Sequence, residues 1–210
     1  GNTIKNDNEF PLVSLSRFLD TNLKGHITAV HILPFFPFSS DDGFSVIDYS
    51  TVNPSLGDWE HIESISKIYK LMSDIVINHI SSRSLWFQNY KSGVDPGKDY
   101  FIEASPEDNL EKVVRPRNSS LLTEVRTSEG LKHVWSTFSN DQIDLNFKNP
   151  EVLREFIRIV RDYLNHGISI FRMDAVPFIW KEADTSCTNL SQTHEIIKLF
   201  HTLIAVSYTH

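Results

Sequence analysis

YKLMSDIVINH, residues 69–79, is the stretch whose reading decides the fold: it is a run of strand length, apolar through much of its course, and it closes on polar residues at Asn78 and His79. A strand covered on both faces has that form, whereas a strand with one wet face alternates. The same pattern lies upstream in ITAVHIL (27–33), stopped by Pro34, and downstream in ISIFRMD (168–174). Helical periodicity fills the intervals. LVSLSRFLDTNL (12–23) sets Leu12, Leu15, Phe18, Leu19 and Leu23 on one face before Gly25, and WEHIESISKI (59–68) follows Asp58, a residue type that caps helices. After Pro150, Leu153, Phe156, Ile157, Val160 and Leu164 form a stripe that stops at Gly167. A last helix over 191–205 presents Ile196, Ile197, Phe200, Leu203 and Ile204. Alternating strands and helices predict an α/β chain with a parallel sheet, either doubly wound or a (β/α)₈ barrel, and periodicity does not choose between them.

Residues 80–140 break the alternation. They are polar and rich in Ser, Asn, Gly and Pro, and far exceed the roughly 2–6 residues of an ordinary α/β connection, which predicts an inserted subdomain. The expected organisation is a first α/β part over 1–79, the insertion over 80–140, and the α/β alternation resumed over 141–210.

Composition narrows the function. With 40% hydrophobic and 22% charged residues among 210, the chain can bury a core and is not disordered. A net charge of −7 opposes a nucleic-acid partner, which would need a basic stripe. Cys187 is the sole cysteine, so no intrachain disulfide forms and no zinc spacing exists, and a reducing cytoplasmic compartment is expected. GNTIKNDNEF at the start lacks the features of a signal peptide, and no apolar run reaches the ~20 residues of a membrane span.

Polar residues gather at the carboxyl ends of the three expected strands: 34–42 after the first, Asp74 to His79 on the second, Arg172 and Asp174 on the third. Barrel enzymes build their sites at that face. Singly, a strand-end His is commonly structural and an Arg-x-Asp pair a plain salt bridge. Three polar strand ends in register carry more weight.

Four stretches in fixed order then resemble the signatures of the α-amylase superfamily: DDGFSVIDY (41–49), DIVINH (74–79), QIDLNF (142–147) and ISIFRMDAV (168–176). HILPFFPFSSDDGFSVIDY, VWSTFSNDQIDLNF and DAVPFIWKE resemble its sucrose phosphorylase group, which includes phosphorylases of glucosylglycerate and sucrose phosphate; DAVPFIWKE followed by TSCTNLSQTHEIIKLF also resembles amylosucrases. The resemblance implies a partial (β/α)₈ TIM barrel with 80–140 as its inserted B domain. It implies retaining glucosyl transfer from an α-glucoside, a sugar substrate of small size, to inorganic phosphate. Asp174 would be the nucleophile, kept ionised by Arg172, while His79 would bond the hydroxyls of the −1 sugar. Asp41 would grip the 4- and 6-hydroxyl side, and Phe44 would offer a stacking face where amylases carry Tyr.

Other residues receive plainer readings. Asp74 tethers the interior, Asn78 (a calcium ligand in many amylases) fixes a loop, and Asp144 orders the return from the insertion. Lys181 and Glu182 either approach the acceptor or pair with each other on the surface. Arg115 and Arg117 in VRPRNSS read first as solvated surface arginines, and are the best local candidates for phosphate or an acidic acceptor. No cofactor and no metal are expected, and the oligomeric state stays open. The family's acid/base Glu and stabilising Asp, like its first strand, lie outside these residues, and AVSYTH (205–210) departs from the pattern as a foreign tail would, so the chain reads as truncated at both ends and inactive by itself. Transfer to glucan or water is the alternative activity; a non-catalytic binding chain would be free to lose Asp174 and Arg172, and both are present.

Overall fold

In a computed structural model, which describes residues 3–208, strands and helices alternate in the expected sequence. In chain order the elements are α1 (Pro11–Asn22), β1 (Ala29–Ile32), α2 (Trp59–Ser66), β2 (Lys70–Val76), β3 (His79–Ser81), α3 (Leu85–Ser92), β4 (Leu122–Thr127), β5 (Gly130–Trp135), β6 (Gln142–Asp144), α4 (Pro150–Asn165), β7 (Ile168–Asp174) and α5 (Ser191–Tyr208). They fall into two compact units. One comprises the chain up to Val76 with Arg158–Asp174, the other Ile77–Ile157 with the chain from Ala175 onward.

The first unit holds a parallel sheet in the order β1-β2-β7. Neighbours follow chain order without reversal, as in a (β/α)₈ barrel and unlike a doubly wound sheet, whose order turns back at a switch point. The register sets Ile32 beside Ser73, Asp74 beside Arg172, and Val76 beside Asp174. Leu12, Ile62, Leu71 and Ile75 are fully buried, and burying such a side chain stabilises by about 1.5–3 kcal/mol. An aromatic cluster adds to this core: Phe36 stacks on Tyr163 at 5.1 Å, and Trp59 lies 5.5 Å from the same ring. Asp58 caps α2 as expected, accepting from the His61 backbone while His61 Nδ1 accepts from the Asp58 backbone. Gly167 turns the chain from α4 into β7 at φ +84°, and a Cβ there would meet Ser66 Oγ at 2.2 Å.

Three expectations need correction. β1 is not buried on both faces: Ala29, His31 and Leu33 are exposed on one face, while Ile32 is buried on the other. The run 69–79 is not one strand. β2 ends at Val76, and after Ile77 and Asn78 the chain pairs antiparallel with β6, Ile80 opposite Ile143. On α1, Leu12 and Leu19 are buried but Phe18 is exposed; Ser14 is buried instead, its hydroxyl donating to Glu9.

The second unit contains the β3–β6 pair, the β4–β5 hairpin and α3. The stretch 80–140 has structure of its own: α3 is capped by Ser84, and Phe87, Tyr90 and Phe101 pack as mutual ring neighbours at 5.0–5.5 Å. The stripe of α4 centres on Val152, Phe156, Val160 and Tyr163, with Leu153, Ile157 and Leu164 half-buried beside it. α5 buries Ile196 and Phe200 and runs to Tyr208, past the expected 205. The last two residues of the AVSYTH stretch, 209 and 210, lie outside the described residues. Among the described residues no helix is long and apolar enough to cross a membrane.

Candidate active site

Asp174 ends β7, and alternation along the strand puts Arg172 on the same face. The two form an ion pair at 3.0 Å, NH2 to Oδ1. Arg172 NH1 donates to Oδ1 of Asp74 on the adjacent strand, and Asp74 Oδ2 accepts from His31 Nε2 at 2.8 Å on the strand beyond. Four side chains from three neighbouring strands thus form one ionic chain across the sheet. Asp74 is fully buried within it; Arg172 is half exposed and Asp174 largely buried. The Arg172 guanidinium is held above its ordinary range first by the hydrogen bond to Asp74, against a lowering from burial, and then by the charges of Asp74 and Asp174.

The loop after β1 carries two further expected residues, Asp41 and Phe44, and brings Phe44 to Arg172. Asp41 and Asp42 adopt φ of +55° and +51°, and Gly43 follows at +107°. Ser39 and Ser45 close the loop, Ser39 N donating to Ser45 O at 3.0 Å. The reversal presents Phe44, whose ring lies 5.6 Å from the Arg172 guanidinium carbon. Such a cation–π contact contributes about 0.5–1 kcal/mol when partly exposed. Tyr49, at the loop's far end, is buried and donates to Val76 O at 2.6 Å; burial, then the charge of Asp174, raises its phenol well above the usual range, so it stays neutral. Gly43 admits no side chain: a Cβ would stand 2.8 Å from Pro34 Cβ at a φ that L-residues rarely adopt. Gly43→Ala is expected to destabilise the protein by about 1–3 kcal/mol, and thermal melts check it; an unchanged melt would contradict this reading of the loop.

His79 lies in the second unit and is buried there. Its Nδ1 is 3.3 Å from Asn78 Nδ2, its Nε2 3.1 Å from Gln142 Nε2, and Phe138 lies 5.1 Å away, ring to ring. Beside it Lys181 is buried, with its ammonium enclosed by three oxygens: Asn78 Oδ1 at 2.9 Å, Asp144 Oδ2 at 2.6 Å and the Phe178 carbonyl. An ammonium has three protons to donate, and all three have acceptors. These oxygens therefore do not fit a metal ion, because Nζ fills the position between them. Asp144 also accepts from the backbone N of Thr137 at 3.0 Å and from its hydroxyl.

Lys181 and Glu182 do not pair with each other. Glu182 faces Lys148 at 3.3 Å and Trp180 Nε1 at 3.3 Å, which lower its carboxyl, the Trp180 bond most. The two candidate arginines also differ. Arg115 donates to the Ser119 carbonyl within its own loop, whereas Arg117 lies 5.9 Å from the Phe138 ring that packs on His79. The sequence reading missed the partners His31, Tyr49 and Gln142. Their signals were present: a His inside an apolar strand, the Tyr closing DDGFSVIDY, and the Gln opening QIDLNF.

The sequence model of the alpha-amylase catalytic domain matches residues 23–208. The glucosylglycerate phosphorylase of Spirochaeta thermophila is 46% identical over 195 residues, 93% of this chain and 33% of its own length. That of Escherichia coli K12 is 44% identical over 92% of this chain and 35% of its own. The sucrose phosphorylase of Bifidobacterium adolescentis is 30% identical over 88% of this chain and 39% of its own. Among solved structures, sucrose 6F-phosphate phosphorylase from Thermoanaerobacter thermosaccharolyticum superposes with a TM-score of 0.87 at 28% identity, over 93% of this chain and 43% of that one. The chain spans about a third of the length of the curated relatives it matches.

Proposed function

The chain belongs to the alpha-amylase catalytic-domain family, and from that premise we propose that the protein containing it transfers an α-glucosyl unit to inorganic phosphate and releases α-glucose 1-phosphate. The observation that carries this reading is the identity of 44–46% to glucosylglycerate phosphorylases across nearly the whole chain, against 30% to a sucrose phosphorylase. Glucosylglycerate is accordingly the favoured donor, with sucrose the second.

Asp174 is assigned as nucleophile. Its carboxylate attacks the anomeric carbon as the glycosidic C–O bond breaks, giving a glucosyl ester; a phosphate oxygen then attacks the same carbon and expels Asp174, so two inversions retain the α configuration. The departing oxygen takes its proton from a second carboxyl, which the resemblance places on a later strand. Arg172 is assigned to keep Asp174 charged and turned outward. Asp41 and Phe44 are assigned to the sugar ring and His79 to its hydroxyls. Arg117 is assigned to the anionic acceptor, phosphate or the glycerate carboxylate: a guanidinium backed by a ring presents a flat donor fork to oxyanions. Arg115, which donates to the Ser119 carbonyl, is the second candidate for the same oxyanion. The cytoplasm is the proposed compartment.

In the full-length protein, glucose 1-phosphate is expected to form only when phosphate and an α-glucoside are supplied together, and faster from glucosylglycerate than from sucrose. Product analysis by anion-exchange chromatography reads the outcome. Glucose or glucan released at the same rate without phosphate would replace this reading with hydrolysis or glucan synthesis.

A further inference from the structure

The fully buried carboxylate of Asp74 has both oxygens engaged, Oδ1 by Arg172 NH1 and Oδ2 by His31 Nε2 at 2.8 Å. Arg172 is divided between two carboxylates, with NH2 3.0 Å from Asp174 Oδ1. That division needs a cause. A guanidinium and a carboxylate prefer the two-pronged grip in which both nitrogens meet both oxygens of one partner. Asp74 does not take that grip here, and its second oxygen is already occupied by His31.

We propose that His31 is a positioning residue for Asp174: by occupying Oδ2 of Asp74 it limits Asp74 to a one-oxygen hold on Arg172 and leaves the second guanidinium nitrogen for Asp174. The inference rests on Asp174 being the nucleophile, as proposed above. A carboxylate only accepts, so His31 Nε2 carries the proton of this bond, and it does so in both the neutral and the protonated imidazole. Within the first unit, the charged or titratable groups linked to Asp174 include Arg172 on β7, and through it Asp74 on β2 and His31 on β1, with Tyr49 in the loop between β1 and α2. Of these groups, Arg172 is the cation paired directly with Asp174. Whatever draws its nitrogen away raises the proton affinity of Asp174.

The test uses the full-length protein with His31→Leu, which keeps bulk without a donor, and His31→Gln, which restores an amide donor at similar reach. In His31→Leu the acid limb of kcat/KM, where the nucleophile must be ionised, is expected to move up by about one pH unit. The glucosyl donor's KM should change less than the acid limb moves, because His31 itself is assigned no sugar contact. His31→Gln should return the limb toward wild type. An unmoved limb in His31→Leu, or an equal displacement in His31→Gln, overturns the proposal. A crystal structure of His31→Leu reads the same point without turnover: Arg172 gripping Asp74 through both nitrogens and withdrawn from Asp174 is expected, and an unaltered Arg172 overturns it. If the wild-type protein transfers no glucosyl group, with or without phosphate, the functional reading fails, and the crystal structure still decides the role of His31.

Discussion

Asp174→Asn in the full-length protein is expected to abolish glucosyl transfer, with a loss on the order of 10⁴-fold or more. The amide keeps the shape and the hydrogen-bonding reach of the carboxylate but has no charge with which to attack the anomeric carbon. Arg172 retains Asp74 as its ionic partner, and Asp174 lies at the end of β7 rather than inside the core, so the melting temperature should move little. That combination separates chemistry from folding. Trapping with a slow fluorinated glucosyl donor gives the direct reading: mass spectrometry should show a glucosyl adduct on the wild type and none on the variant. Wild-type-like turnover by Asp174→Asn would remove Asp174 from the nucleophile's role.

How much of this was legible in the sequence depends on where each side chain finds its partner. The strand cores, the Asp58 cap and the Gly167 stop were readable, because they depend on local pattern and on backbone angles that few residues adopt. The polar end of β7 was readable because an apolar strand has no packing reason to finish in Arg-Met-Asp, whereas β1 closes on Ile32 and β2 on Val76, and His79 belongs to β3. The break after Val76 was hidden: Ile77 and Ile80 continue the apolar run, and only pairing with β6, some 60 residues on, turns the chain into a second sheet. β1 was misjudged for a related reason, since β-branched composition reports strand preference but not what covers each face. Arg172 was legible as a partner of Asp174 two residues away, whereas its bond to Asp74 and the further bond to His31 span three strands. Long-range ionic chains of this kind leave no periodic trace.

Lys181 shows the same limit in its strongest form, and it carries the largest expected effect on stability. In WKE it reads as a surface lysine, yet its side chain is 6% exposed and its ammonium serves three oxygens. Lys181→Met keeps the length of the stem and removes the charge. Asp144, completely buried, would then keep only the two bonds from Thr137, and Asn78 Oδ1 and the Phe178 carbonyl would lose a donor. Breaking a buried ion pair from one side typically costs about 3–5 kcal/mol, because the charge left behind is neither solvated nor paired. Denaturant unfolding of the full-length protein should show a loss of that size. The double variant Lys181→Met, Asp144→Asn should recover part of it, since no isolated charge remains, and the non-additivity measures the pair directly. The effect should also reach His79, which follows Asn78 and lies opposite Asp144 in the β3–β6 register, so sugar affinity should fall with stability. A Lys181→Met protein within about 1 kcal/mol of wild type would mean that the ammonium contributes no more than an exposed salt bridge, and the charged cluster around His79 would need another explanation.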